Sequence, residues 1–251
     1  MSLSWLRNAL VSAVFVATSS SAQPTSPHLL GIRPGMPPDA AQRLLSAVPG
    51  VNKVTGLGRM RSPWGKSTSK LSADASSEGT KDRIQVVFIA PLSEGHMPSF
   101  AEVSPAEAGL SLQDMNVVTG VRLERSLNPV PTDAAMRQAL HAKYGQPSRV
   151  DGNREIWIWN AMNELITEAN QEDLRTCEAA AGGVGQINWR TGSLPEKCGD
   201  RLVAEIYPYG MVLVLDSVSV GRQMLEKFAH VNQLAEKERE AAREAREVPK
   251  F

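Results

Sequence analysis

Hydrophobic positions follow two periods along this chain. Ala41, Leu44, Leu45 and Val48 fall at i, i+3, i+4 and i+7; Pro34-Gly35-Met36-Pro37-Pro38 and Asp39 precede them and Pro49-Gly50 stops the run. That spacing predicts a short helix with one apolar face. A second helix is predicted where Thr132 can cap a segment whose Met136, Ala139, Leu140 and Tyr144 share a face, with Gly145 and Pro147 ending it. The β-branched runs Arg83 to Pro91, Asn116 to Glu124, Arg201 to Pro208 and Met211 to Val220 read as strands. Glu155-Ile156-Trp157-Ile158-Trp159 alternates, which puts both isoleucines on one face and both tryptophans on the other.

The two helices open alike. Asp39-Ala40-Ala41-Gln42-Arg43 and Asp133-Ala134-Ala135-Met136-Arg137 agree at four of five positions, and each is followed by a pair of strands. The fold class expected is therefore α+β: two similar or fused units, each a helix layer on an antiparallel sheet, in residues 23–130 and 131–221. Two low-complexity stretches interrupt them. Residues 62–80, rich in Ser, Gly and Lys, are expected to form a flexible loop in the first unit, and residues 163–200 a loop in the second. Within the latter, Asn170 can cap a short helix carrying Leu174 and Cys177, stopped by Gly182-Gly183. Residues 222–251 are expected as a C-terminal helix. Leu225, Phe228, Val231 and Leu234 or Ala235 give it an apolar stripe, but nine of the twelve residues from Glu236 to Glu247 are charged, so that end should project into solvent.

The first 22 residues carry the most specific signal. Arg7 supplies positive charge, Ala9 to Thr18 is apolar apart from Ser12, and Ser20-Ser21-Ala22 places small residues before Gln23. This is the pattern of a secretory signal peptide cleaved after Ala22, with an apolar core of about 15 Å that is too short to span a bilayer. No cysteine lies near the cut to carry a lipid, so a periplasmic or secreted protein without a transmembrane anchor is expected. The chain has two cysteines, Cys177 and Cys198. In an oxidising compartment they are expected to form a disulfide.

Charge narrows the partners. With 27 basic and 27 acidic residues the chain has no net charge to drive nonspecific binding of nucleic acid. Candidate chemistry is sparse. Gly56 to Ser67 ends like a phosphate-binding loop, but Met60 stands where the motif requires glycine. Lys53, Arg59, Arg61, Lys66 and Lys70 with Trp64 form a basic stretch that could meet an anionic surface. His28, His96, His141 and His230 show no metal-ligand spacing, and no zinc or nucleophile-elbow motif occurs. Glu94 and His96 are the one conceivable acid/base pair. No catalytic residue, metal site or cofactor is assigned. The binding candidates are aromatic: Trp157 and Trp159 on one strand face, and Tyr207 and Tyr209 flanking Pro208, which would form one four-ring surface if their strands pair, or core if a helix covers them.

The Gly35-Met36 turn into the Asp39 to Val48 helix, and the helix ending in Gly145-Gln146-Pro147 before a strand, resemble small envelope modules of the SmpA/OmlA and β-lactamase-inhibitor-like type. That resemblance implies a helical layer on an antiparallel sheet and a role in binding other proteins. The departures are the missing lipid-bearing cysteine, Pro49-Gly50 where Gly-x-Pro would end the first helix, and long loops. The function expected is noncatalytic binding, with another envelope protein as partner. The alternatives are a periplasmic hydrolase and a structural protein acting through its C-terminal helix.

Overall fold

The computed structural model describes residues 26–62, 65–88, 117–180 and 194–247; the leader at 1–22, Glu94-Gly95-His96 and Gly182-Gly183 lie outside them. The first half runs α1 (Pro38–Ala47), β1 (Val51–Ser62), β2 (Gly65–Ser77), β3 (Thr80–Phe88) and β4 (Val118–Leu127). The second runs α2 (Asp133–Tyr144), β5 (Arg149–Asp151), β6 (Arg154–Asn160), a 3₁₀ turn (Glu168–Asn170), α3 (Gln171–Ala180), β7 (Cys198–Tyr207) and β8 (Gly210–Ser217), followed by α4 (Val218–Glu247). All eight strands form one sheet in the order β1-β2-β3-β4-β8-β7-β6-β5, every neighbouring pair antiparallel. Each half is thus a helix ahead of four strands, and the halves meet where β4 pairs with β8, from Gly120 opposite Asp216 to Ser126 opposite Gly210. The fold is α+β.

The local signals act where the sequence places them. Thr132 Oγ1 accepts a hydrogen bond from the Ala135 N–H at 3.2 Å, which caps α2. The Gly145 N–H closes its last turn on the His141 carbonyl at 2.9 Å. Gly50, just past α1, has φ +82°, and a β-carbon there would lie 2.2 Å from the Ser76 carbonyl oxygen, so only glycine lets the chain turn into β1 against β2.

Three expectations change. Residues 65–77 are not a loop but strand β2, because Leu71, Ala73 and Ala75 alternate inward and are buried. β1, pairing β2 along its length, was not legible as a strand. The last helix begins at Val218 rather than at 222, since the Ser217 hydroxyl accepts the Val220 N–H at 3.3 Å and starts α4 directly from β8.

The sheet has two unlike faces. On one, Leu71, Ile84, Val86, Val121, Leu123, Leu213, Leu215, Leu202 and Trp157 join Ala41 and Leu45 of α1 and Met136 and Leu140 of α2 in a single buried cluster. On the other, Ile156, Ile158 and Val203 pack with Leu174, Cys177 and Ala180 of α3. A disulfide joins Cys177 to Cys198, 21 residues on, with Cα atoms 5.3 Å apart, tying α3 to the first residue of β7. Replacing both cysteines by serine is expected to lower unfolding free energy in urea by roughly 3 kcal/mol, the chain entropy released when a loop of this size is opened. A loss below about 1 kcal/mol would mean that α3 is held by its apolar face alone.

Among the described residues no helix is long and apolar enough to cross a membrane. The described side chains of α4 from Glu236 to Glu244 are exposed.

Candidate functional site

Strand alternation decides what the face away from α1 and α2 presents. Following the register across six strands, Asp74 lies opposite Arg83, Arg83 opposite Glu124, Glu124 opposite Val212, Val212 opposite Glu205 and Glu205 opposite Arg154. The row is a ladder of opposite charges interrupted by one valine. Arg83 Nε stands 3.5 Å from Asp74, Arg122 Nη2 stands 2.8 Å from Glu124, and Arg154 Nε stands 3.8 Å from Glu205. Asp74 and Arg83 side chains are 77% and 62% exposed, so these pairs add little to stability and remain available to a partner.

Beside Glu205, at the β7–β8 turn, two phenols stack. Tyr207 and Tyr209 rings lie 5.6 Å apart and 6° from parallel. The Tyr207 hydroxyl donates to Glu205 Oε2. That hydrogen bond to a carboxylate raises the phenol above its ordinary pKa, keeping it a donor at neutral pH. Tyr209 is 59% exposed, one of four large apolar side chains that reach solvent among the described residues.

The four rings do not form one surface. Trp157 and Trp159 are 0% and 7% exposed and belong to the cluster under the helices, whereas Tyr207, two residues from Glu205, lies on the opposite face. The physical reason is register. Trp157 pairs with Leu202, and Tyr207 is an odd number of residues further along β7, so it points the other way. The Trp157 indole N–H donates to the Gly145 carbonyl at 2.9 Å, so its polar edge is committed inside the fold. Trp157 and Trp159 are core; Tyr207 and Tyr209 are the accessible pair.

A buried polar group beneath α2 escaped the sequence reading. Glu155, 1% exposed, accepts from Arg137 Nη1 at 2.6 Å and lies 3.0 Å from His141 Nε2. Arg137 also donates to the Gly152 carbonyl at 3.0 Å. Arg137 and His141 are four apart on one helix face, a spacing visible in the sequence; that both meet Glu155 was not. Through Glu155 the cluster holds α2 to β6. His28 is placed elsewhere, its ring pKa lowered first by burial and then by Lys143. Among the described residues no group of three or more His, Cys, Asp or Glu side chains could hold a metal ion.

Compared with known proteins, the chain matches no family model, no curated protein and no solved structure.

Proposed function

We propose that this chain is an exported, noncatalytic binding protein of the bacterial cell envelope, built as two helix-on-sheet units in tandem and engaging another envelope protein. The observation that carries the reading is the Tyr207–Tyr209 stack beside Glu205 of the charged strand row, with Tyr209 exposed. Tyrosine presents a wide rigid surface with few torsions to freeze, and a polar tip that needs no burial, which is why such rings anchor protein interfaces. The alternating charges beside them would set orientation more than affinity. Export rests on the leader at 1–22, and the Cys177–Cys198 disulfide is the state such a compartment favours. The SmpA/OmlA-like resemblance and the matching order of helix and four strands in each half favour tandem units with a binding role.

A photo-crosslinking residue placed at Tyr209 in the native host should trap one envelope partner, while the same residue at exposed Gln42 on α1 should not. Tyr207→Ser with Tyr209→Ser should weaken the isolated complex by at least about tenfold, with the melting temperature little changed. Equal trapping at both positions, or hydrolysis of an envelope substrate by the purified protein, would overturn the reading. The exposed end of α4 favours a second one, in which that helix carries the contact. Deleting residues 236–251 separates them: it leaves trapping at position 209 intact in the first and abolishes it in the second.

A further inference from the structure

A separate cleft opens where β4 begins and β8 runs into α4. Its volume is about 430 Å³, within the range of small-molecule sites. One wall is the turn before α1. The Gly35 N–H donates to the Val118 carbonyl and the Val118 N–H to the Met36 carbonyl, each at 2.8 Å, so this wall is fastened to the start of β4. Gly35 has φ +83°, and a β-carbon there would lie 3.5 Å from Val220 Cγ2, which brings the turn against the first turn of α4. Pro34, Met36 and Val220 supply hydrocarbon, Ser219 a hydroxyl, Arg33 an exposed charge and Asp200 a carboxyl.

Asp200 forms no salt bridge with a described residue, and Arg33 acts on it only through space. Asp216 and Arg33 are the charges that act on it from the neighbouring elements, and Arg201 is committed to Asp216 through bonds of 3.1 and 2.6 Å. Among the described residues no ion pair reaches Asp200. Among the described residues its hydrogen-bond partner is the Ser217 hydroxyl, which also lies 3.0 Å from Ser219 Oγ. Burial, with a further contribution from the Asp216 charge, pushes the carboxyl up to about 6 against the weaker pull of Ser217 and Arg33.

We propose that this cleft binds an aliphatic ammonium group, with Asp200 as its counter-ion and the Ser219 hydroxyl as a second acceptor. An alkylammonium brings the charge that Asp200 lacks, three donors, and methylenes that pack on Pro34, Met36 and Val220. The start of α4 contributes only about half a positive charge, against the full negative charge on Asp200. An anion would meet the Asp200 carboxylate, with Arg33 as the one full cation among the described lining residues.

The test is a titration of the purified protein with n-butylamine, followed by backbone amide shifts at Asp200, Ser219 and Val220. Saturable binding is expected at about pH 7.5 and about tenfold weaker binding at about pH 5, where Asp200 is mostly protonated and the amine is unchanged. Asp200→Asn should abolish saturation, and Arg33→Gln should leave it in place. n-Butyrate should not bind. Nα-acetyl-lysine methylamide run in parallel tells the sources apart: tighter binding than n-butylamine points to a lysine of a peptide, equal or weaker binding to a free amine. Absence of saturation, pH-independent binding, or n-butyrate binding as well as n-butylamine would overturn the proposal. The pH comparison on the unaltered chain decides the matter even if Asp200→Asn fails to fold.

Discussion

Arg201→Met is expected to lower stability by roughly 3–5 kcal/mol near pH 7, read by urea unfolding, because it strands a buried carboxylate. Arg201 and Asp216 are direct neighbours on β7 and β8, joined by two hydrogen bonds, with side chains only 7% and 5% exposed. Burial lifts the Asp216 carboxyl above its ordinary value, with Arg201 pulling the other way. Removing that pull raises it further. A carboxyl whose folded pKa exceeds its unfolded one destabilises above the unfolded value, so the loss should be fullest near neutrality and shrink as the pH falls toward about 4. The double replacement Arg201→Met with Asp216→Leu should recover most of the loss, since neither buried charge remains. A loss that does not change with pH would show that packing of the arginine stem, not charge, is what the substitution removes.

Trp157→Ala should cost about 3–5 kcal/mol. The side chain is fully buried, its ring centroid lies 6.0 Å from Tyr144 and 6.2 Å from His141, and its N–H holds the Gly145 carbonyl where α2 ends. Trp157→Phe keeps most of the volume and should lose only about 1–2 kcal/mol. Tyr209→Ala, on an exposed ring, should stay within about 0.5 kcal/mol of the unaltered chain. Measured side by side in thermal or urea melts, these substitutions separate core aromatics from surface ones. If Trp157→Ala and Tyr209→Ala proved equally mild, the burial assigned to Trp157 would be wrong.

What the chain discloses before folding depends on how each element is stabilised. α1 and α2 carry an apolar stripe between clear stops, and β3, β4, β7 and β8 are dense in β-branched residues, so all six were legible. β1 and β2 were not. β2 sets Leu71, Ala73 and Ala75 among serines, and β1 interrupts its apolar residues with Asn52-Lys53, Gly56 and Gly58, so the pair, in register from Thr55 opposite Ser72 to Ser62 opposite Gly65, shows only a weak hydrophobic period. The tryptophan alternation in β6 was readable, but which face the helices cover follows only from register with Leu202 on β7. The similar helix openings also diverge in use: Arg43 pairs with Asp39 one turn back at 2.8 Å, while Arg137 turns down to Glu155. Asp200 and Arg33 are too far apart in sequence for any local pattern to join them, and a charged run such as Asp74, Arg83 and Glu124 exists only after the strands have been laid side by side.

Among the described residues the strand order puts β1 and β5 at the two rims of the sheet, because β4 and β8 occupy each other at the middle. The rims are unequal: twelve residues at one and three at the other. A long bare ladder is the usual template for chain-to-chain growth, whereas a stub of one pleat offers too few bonds to continue it. An endless filament of copies, which must use both rims in turn, is interrupted at every β5.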